Sequence, residues 1–339
     1  MANSRITIRD VADVAGVSTA TVSRFLNESG YVNDTTSARI RDAIAQTGYT
    51  PSLMARGLKT RRTGMLLLVV PDICNPFYSS MARRLQKLSR EEGYVLVLAD
   101  SAGDPDEELE ALAIADRTQA EGVFFATIHD HPQANTRLKR AGCRVVGLNA
   151  FGEGAAFDTV AVHHHGGTNL AVGHLAQLGH RRIAFAGGTP GSLIAGSRRD
   201  GYLHGMKKYG LEVAEDAILE IGFGQEDGYA AGRQFATRPN PPSALCCAND
   251  LVALGAIRAL NEVGLSVPED ISVTGMDDIP YAALSNPPLT TVTNDGVLFA
   301  ERAFEMMLDR LHGNAEPPRR AEIPNELVVR SSTAPARSK

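Results

Sequence analysis

The chain has 339 residues, of which 43% are hydrophobic and 22% are charged, and its formal net charge at pH 7 is −5. This length exceeds one compact core of ordinary size, so we expect two or three domains, and the composition excludes a disordered or fibrous chain. The apolar stretch Met65–Val70 is far shorter than the roughly 20 residues that cross a membrane, and no apolar export segment follows Met1. We therefore expect a cytoplasmic protein without membrane contact.

The four cysteines, Cys74, Cys143, Cys246 and Cys247, have no C-x-x-C spacing. Cys246 and Cys247 are neighbours in an apolar run, where adjacent side chains of a strand point to opposite faces. We therefore expect all four to be small buried hydrophobic residues in a reducing compartment, with no metal site and no cofactor.

The basic charge is concentrated at the N-terminus. Residues 1–62 contain nine Lys/Arg and five Asp/Glu, a net charge of +4, so the rest of the chain carries −9. A basic head on an acidic body indicates that only the head binds a polyanion such as DNA. A charged surface that is merely solvated does not predict this asymmetry.

The first sixty residues predict three short helices separated by tight turns. Thr7 is the expected N-cap of the first helix, Asp10 stands three residues later as in a capping box, and Gly16 ends the helix. Ser18 is expected to cap the second helix, and the third begins near Asp34. Apolar residues recur at helical spacing in these segments.

The second helix is expected to expose small polar and basic side chains, namely Thr19, Ala20, Ser23 and Arg24. Two short helices joined by a turn of three or four residues form the arrangement that reads the major groove of DNA, which admits one helix. A plain three-helix bundle is the alternative. Residues 49–62 predict a short helix after Pro51 and then a basic linker, and so short a helix is marginal in water without a partner.

The segments Asp10–Arg24, Gly48–Pro51 and Ala55–Leu58 resemble the signature of the lac-repressor (LacI/GalR) family. The resemblance implies a second helix in the major groove, a hinge helix at residues 52–59, and Leu58 as an apolar wedge in the minor groove at the operator centre. The DNA-binding residues implied by it are Thr7, Ser18, Thr19, Ala20, Ser23, Arg24, Asn27, Tyr49, Ala55 and Leu58. Among these, Thr19 and Ala20 take the base-reading positions.

The remaining chain alternates apolar runs with amphipathic helical segments. The predicted strands are Met65–Val70, Tyr94–Ala99, Gly122–Ala126, Arg144–Leu148, Thr159–Val162, Ile183–Ala186, Ile218–Ile221, Ala244–Ala248 and Ile271–Gly275. Repeated β-α-β units indicate parallel sheets covered on both faces, and about ten strands indicate two lobes. The predicted fold class is therefore α/β, with an all-α helix-turn-helix domain followed by a two-lobed core.

Ligands of such sheets bind at the carboxyl ends of the strands, where this sequence repeatedly has polar residues. Asp and Asn also favour turns, which is the alternative explanation for any one of them. The chain after the first sixty residues resembles the family's regulatory core, which is similar to periplasmic sugar-binding proteins of the ribose type. The effector-binding residues implied by this resemblance are Asn75, Phe77, Tyr78, Asn149, Arg198, Phe223, Asn249, Asp277 and Asn294.

These residue types suit a sugar, because amides, carboxylates and guanidinium pair with hydroxyls while an aromatic ring covers the apolar sugar face. A purine would also stack there, and the family includes purine-responsive members. Two departures from the family pattern stand out. Asn149 replaces an acid that many sugar-binding relatives have, and His163, His164 and His165 replace a common Asp-Asn pair. The histidines are interpreted as polar lining or surface, with a metal site or a pH-sensitive effector contact as alternatives.

We therefore predict a helix-turn-helix domain at residues 1–50, a hinge and linker at 51–63, and an effector-binding and dimerisation core at 64–339 with lobe crossovers near 164 and 293. The predicted function is a sequence-specific DNA-binding regulator, acting as a homodimer on a pseudo-palindromic operator and released by a sugar. The chain ends without a leucine-heptad extension, which favours a dimer over a tetramer. The alternatives are a purine co-repressor, a solute-binding protein and an α/β enzyme, although no common catalytic motif is present.

Overall fold

The computed structural model describes residues 6–26, 30–49, 63–129, 132–149, 151 and 155–337. The chain divides into two compact units, Met1–Gly64 and Met65–Lys339. Within the described residues, no helix is long and apolar enough to cross a membrane.

The helices, numbered in chain order, are α1 Ile8–Ala15, α2 Thr19–Leu26, α3 Asp34–Thr47, α4 Pro76–Glu91, α5 Pro105–Thr118, α6 Pro132–Arg140, α7 His164–Gln177, α8 Leu193–Lys208, α9 Gln225–Ala236, α10 Asp250–Glu262, α11 Pro280–Leu284 and α12 Gly296–Leu311. The strands are β1 Met65–Val70, β2 Val95–Asp100, β3 Gly122–Thr127, β4 Arg144–Asn149, β5 Asp158–Val162, β6 Ile183–Ala186, β7 Ile218–Leu219, β8 Ala244–Cys247, β9 Ser272–Asp277, β10 Thr290–Thr293, β11 Arg320–Ile323 and β12 Leu327–Val328.

The first unit contains α1, α2 and α3 around a small core in which Val11, Val22 and Ile40 are fully buried. The Asp10 carboxylate accepts hydrogen bonds from the amide (2.7 Å) and the hydroxyl (2.8 Å) of Thr7, which confirms the predicted capping pair. These bonds favour the ionised carboxylate and lower the pKa of Asp10. The start of α1 is thereby fixed.

The turn between α1 and α2 is only three residues long and begins at Gly16, whose φ of +64° is costly for other residues. Arg39 of α3 donates hydrogen bonds to the carbonyls of Ala15 (2.5 Å) and Gly16 (3.2 Å). Ser18 Oγ accepts from the amide of Thr21 at 3.1 Å and so caps α2 as predicted. Hydrogen bonds from Arg39 thus stabilise the beginning of the turn, and the cap at Ser18 stabilises its end.

The second unit has two lobes. The first contains a six-stranded sheet in the order β11-β5-β4-β3-β1-β2, in which all pairs are parallel. Side chains of β1 alternate between two apolar clusters: Leu66 and Leu68 pack with α4 and α12, and Leu67 and Val69 pack with α5 and α6. Both faces are covered, which is why β1 has no polar side chain.

The second lobe contains a sheet in the order β12-β10-β9-β8-β6-β7, with only β12 antiparallel to its neighbour. Helices α7 and α8 cover one face, and α9 and α10 cover the other. The chain passes between the lobes at residue 163, at residues 294–295 and again at residues 324–326. The third passage has no counterpart in the sequence analysis.

All nine predicted strands occur, with ends within two residues of the prediction. The short strands β10, β11 and β12 were not predicted. Cys246 and Cys247 are buried as expected, whereas Cys143 is half-buried and Cys74 is exposed. The expectation that all four are buried is therefore wrong, because Cys74 lies in the turn after β1 rather than in a strand.

Candidate functional site

A cavity of about 410 Å³ lies between the two lobes of the second unit, at the carboxyl ends of the strands. Eight of the nine residues expected to bind the effector line it: Asn75, Phe77, Tyr78, Asn149, Arg198, Phe223, Asn249 and Asn294. These residues come from segments as distant as residues 75 and 294. The sheet topology brings them together.

The aromatic wall of the cavity is positioned by Asn75, the N-cap of α4, which accepts a hydrogen bond from the amide of Phe77 at 3.0 Å. The Phe77 and Tyr78 rings meet edge to face with centroids 5.0 Å apart, and Phe77 packs likewise on Phe299. Burial raises the pKa of Tyr78 far above its ordinary value, so its hydroxyl keeps its proton.

Arg198 is the buried cation of the cavity, with only 5% of the residue exposed. Its Nη1 donates to the carbonyl of Ala248 at 2.5 Å, and its Nη2 donates to Asp277 Oδ1 at 3.3 Å. Its Nε donates to His164 Nδ1 at 3.3 Å. The guanidinium carbon lies 5.8 Å from the ring centroid of Phe223, within cation–π range. These bonds use three of its five N–H groups, and the other two have no hydrogen-bond partner in the described part of the chain.

Asp277 differs from the expectation, because it does not line the cavity. Its carboxylate accepts hydrogen bonds from Arg198 and from Asn294 Nδ2 (2.6 Å), so it lies behind both side chains. Burial raises the pKa of Asp277, while Arg198, Asn294 and Asn75 act in the opposite direction. Asp277 is therefore placed to orient two lining residues.

Asn249 connects the cavity to α10. Its Oδ1 accepts from the amide of Val252, and its Nδ2 donates to the carbonyl of Phe223, both at 2.9 Å. The backbone of Phe223 is thus held by the N-cap residue of a neighbouring helix. Asn149 and Asp277 have φ values of +69° and +117°. Such conformations cost about 1–3 kcal/mol each and concentrate at functional sites.

Several residues that line the cavity were not predicted from the sequence. Asp72 and Asp100 bring two carboxylates, and His164 brings a buried imidazole. Thr189 and Ile194 enter from the second lobe. Asp72 follows the carboxyl end of β1, where a polar residue is expected to face a ligand, whereas nothing in the sequence pattern singles out Thr189 or Ile194. Around the cavity mouth, the carbonyl of Ile128 accepts from Ser192 Oγ and from the amide of Leu193, both at 2.9 Å, which links the lobes.

In the first unit, α2 exposes Thr19, Ala20 and Arg24, and Ser18 precedes them, also exposed. Ser23 is half-buried on the same helix. This small polar and basic face fits the dimensions of the major groove. Thr7 lies at the cap of α1, and Tyr49 packs half-buried against the core. Asn27, Ala55, Leu58 and the expected hinge helix lie outside the described residues.

Comparison with known proteins agrees with this architecture. Residues 7–52 match the bacterial regulatory proteins of the lacI family, and residues 172–333 match the periplasmic binding protein-like domain. The chain is 32% identical over 329 residues to the HTH-type transcriptional repressor PurR of Haemophilus influenzae (strain PittEE). This alignment covers 96% of this chain and 98% of the relative. The chain belongs to the LacI family of bacterial regulatory proteins.

Two solved structures extend the likeness of this LacI-family chain. The lac repressor dimer bound to operator and the anti-inducer ONPF has a TM-score of 0.87 at 26% identity, covering 97% of this chain and 99% of that one. The complex of the transcriptional regulator CelR with cellobiose has a TM-score of 0.73 at 29% identity, covering 97% and 100%. The LacI-family protein is thus a DNA-binding transcriptional regulator controlled by a small molecule, not an enzyme, and the predicted fold class is confirmed.

Proposed function

We propose that this LacI-family regulator binds a pseudo-palindromic operator as a cytoplasmic homodimer, and that an uncharged sugar between its lobes releases it. The observation that carries the proposal is the composition of the cavity wall. Aromatic rings of Phe77, Tyr78 and Phe223 stand beside the amides of Asn75, Asn149 and Asn249. Rings cover the apolar face of a sugar, and amides supply the donors and acceptors that hydroxyl groups require.

The charges of the cavity favour an uncharged effector. The positive charge of Arg198 is already paired with Asp277. Asp72 and Asp100 add two carboxylates to the lining. A phosphorylated ligand would therefore meet like charges and a cation that is already neutralised. We infer that a neutral sugar fits better than a sugar phosphate.

The similar structure of CelR holds cellobiose, a neutral sugar, and this supports the same class of effector here. The second candidate is a purine acting as co-repressor. It is favoured by the similarity to a repressor named PurR and by the Phe223 ring beside Arg198, against which a flat base would stack. A purine would reverse the direction of control, because it would strengthen operator binding.

For the operator, we propose that α2 enters the major groove and that Thr19 and Ala20 read base edges. The surrounding residues Thr7, Ser18, Ser23, Arg24, Asn27 and Tyr49 contact phosphates or bases. Residues 51–63 form the hinge and linker between a DNA-binding domain at 1–50 and a regulatory core at 64–339. In the hinge, Ala55 and Leu58 contact the minor groove, where an apolar wedge bends the DNA.

The proposed dimer is supported by apolar side chains exposed on both lobes. Val95 and Leu98 are 45% and 42% exposed on β2, the edge strand of the first sheet. Tyr281 and Leu284 are 55% and 79% exposed on α11 of the second lobe. A second copy of this chain would cover these surfaces, and the similar lac repressor structure is a dimer. Effector binding then changes operator affinity by shifting the two first lobes against each other.

The test is thermal unfolding of the purified protein with D-ribose, D-glucose, cellobiose, ribose 5-phosphate, guanine and hypoxanthine. A ligand at about 100 times its Kd adds about 2.7 kcal/mol of stability. A neutral sugar is expected to raise the melting temperature and then to dissociate the protein from operator DNA selected from a random library. Stabilisation by a purine alone would support the co-repressor. Stabilisation by the phosphate alone would contradict the proposal.

A further inference from the structure

His164 stands where the chain leaves the first lobe, as the first residue of α7. It is only 8% exposed and lines the cavity. Its neighbours His163 and His165 are exposed and half-buried, respectively, and neither lines this cavity. The three consecutive histidines therefore have different surroundings, and only the middle one faces a ligand site.

The bond to Arg198 fixes which ring nitrogen of His164 carries the proton. A guanidinium can only donate, so His164 Nδ1 accepts the hydrogen bond from Arg198 Nε. Burial, followed by the charges of Arg198 and His163, holds the pKa of His164 well below its ordinary value, so the ring is neutral. The proton of the neutral ring is then on Nε2. In the described part of the chain, Nε2 has no hydrogen-bond partner.

A complementary acceptor lies at the end of the neighbouring strand. Asn149 ends β4, which pairs with β5, and His164 follows β5 by two residues. The Oδ1 atom of Asn149 is buried and has no hydrogen-bond partner among the described residues. Two buried polar atoms without partners in one cavity are unusual, because native proteins pair nearly all such atoms.

We propose that His164 determines effector specificity by donating a hydrogen bond from Nε2–H to a hydroxyl oxygen, while Asn149 Oδ1 accepts a hydroxyl proton. A hydroxyl group both accepts and donates, so a polyol can satisfy both atoms. A phosphate group only accepts, so it would leave Asn149 Oδ1 unpaired, and the same cavity also contains the carboxylates of Asp72 and Asp100. This inference rests on the proposed neutral sugar effector and names the residue that would recognise it.

The experiment measures binding of D-ribose, D-glucose, cellobiose, ribose 5-phosphate and hypoxanthine to the full chain by calorimetry. His164→Phe removes both ring nitrogens and is expected to weaken binding of the neutral sugar by about 10- to 100-fold, since Asn149 alone remains. His164→Gln keeps an N–H donor and is expected to stay within a few-fold of the wild-type protein. His165→Phe, on the neighbouring residue outside the cavity, is expected to bind normally.

Monodeoxy analogues of the sugar that binds supply a thermodynamic cycle. One analogue is expected to bind the wild-type protein as weakly as His164→Phe binds the parent sugar, with no further loss when both changes are combined. Equal affinity of a sugar for the wild-type protein and His164→Phe would overturn the role of His164 and leave the sugar effector intact. Binding of ribose 5-phosphate or hypoxanthine alone, or of no probe, would overturn both.

A second measurement does not depend on how the Phe variant folds. Nitrogen NMR of the wild-type protein with labelled histidine is expected to show the Nε2–H tautomer of His164, assigned by its absence from the spectrum of His164→Gln. Saturating sugar is expected to shift this signal, whereas the signal of His165 stays in place. A sugar that binds without moving the His164 resonance contradicts the proposed hydrogen bond.

Discussion

Arg198 connects the cavity to two strand ends of the second lobe. It reaches the carbonyl of Ala248 after β8 and the carboxylate of Asp277 at the end of β9. A lysine at this position would keep the charge but lose the fork that reaches three acceptors. The guanidinium therefore fixes the local geometry as well as offering donors to a ligand.

Arg198→Ala is expected to abolish the effector response while operator binding persists, because the cavity lies outside the DNA-binding unit. The measurement is operator affinity with and without effector, at a temperature well below the melting transition. Since the change strands the buried Asp277 carboxylate, we expect about 3 kcal/mol of lost stability. Arg198→Lys tests the same point with less damage. Arg199→Ala, which loses ion pairs with Glu220 and Asp200 outside the cavity, is the control. A retained response in Arg198→Ala would remove the pocket assignment.

His180 ties the C-terminal segment to the second lobe, through contacts with Ser243 Oγ (3.0 Å), Ser272 Oγ (3.1 Å) and the carbonyl of Ala334 (3.0 Å). Burial lowers the pKa of His180, although the Ala334 carbonyl opposes this shift. Above pH 6.5 the imidazole is neutral in both folded and unfolded chains. Below pH 6.5, the imidazole binds a proton more readily in the unfolded chain than in the folded chain. The free energy of unfolding therefore decreases as the pH is lowered.

When the pH is lowered from 7.5 to 5.5, the melting temperature of His180→Gln is expected to drop by less than that of the wild-type protein. The raised pKa of Asp250 acts in the opposite direction, because the folded chain binds that proton more readily. This contribution is common to both proteins and cancels in the comparison. Parallel melting curves against pH would show that His180 does not contribute to the acid sensitivity.

At the residue scale, the sequence predicted which residues belong to the effector site better than it predicted the role of each residue there. Asn75 and Arg198 follow from the family pattern, and both line the cavity. Asp277 belongs to the same pattern, yet it lies behind Arg198 and Asn294, and only the hydrogen bonds from these two side chains reveal that position. The environment of His164 depends on which nitrogen Arg198 approaches, and no periodicity in the sequence encodes that.

At the scale of elements, the closest packing in the second lobe is between α9 and α10. A Cβ atom on Gly255 would lie only 1.9 Å from the carbonyl oxygen of Gln225, and one on Gly228 would lie 2.1 Å from that of Val252. Both clashes involve backbone, which cannot move away as a flexible side chain can. These glycines are required by the helix–helix contact rather than by a turn.

Gly255→Ala is therefore expected to destabilise the protein by about 3 kcal/mol or more, because overpacking a tight contact forces the helices apart. Gly196→Ala in α8 is the matched control, since its added Cβ would have no atom within 4 Å. We expect this control to be neutral or to add up to about 1 kcal/mol, because alanine favours a helix. Chemical denaturation of both variants measures the difference. Equal stabilities would contradict the close approach of α9 and α10.

The elements that escaped prediction share a physical reason. Strand β11 lies at the edge of its sheet and has only four residues, so the alternation of Arg320 and Glu322 with Ala321 and Ile323 is too short to stand out in the sequence. Strand β12 has only two residues, and β10 has four. Long buried strands such as β1 and β3 were recognisable because both their faces pack against helices. Short edge strands are defined by their pairing partners instead.

At the scale of the whole molecule, two functions are assigned to separate units, which permits a test of their independence. Leu58→Ala is expected to weaken specific operator binding about tenfold or more, because the resemblance makes Leu58 the wedge that holds the bent site. Affinity for the effector, measured without DNA, is expected to stay unchanged. Unaltered operator affinity would contradict the proposed hinge helix, and altered effector affinity would contradict the separation.

The division of each lobe between distant parts of the chain also affects synthesis on the ribosome. The first lobe buries Leu66 and Phe124 against Phe299 and Met307 of α12, so its core combines the beginning of the second unit with residues near its end. Its last strand, β11, ends at residue 323, after the strands β6 to β10 of the other lobe have been made. The apolar residues at the beginning of the first lobe therefore stay exposed until nearly the whole chain has been translated. Nascent chains that stop near residue 295 should therefore depend on chaperones more than finished ones do.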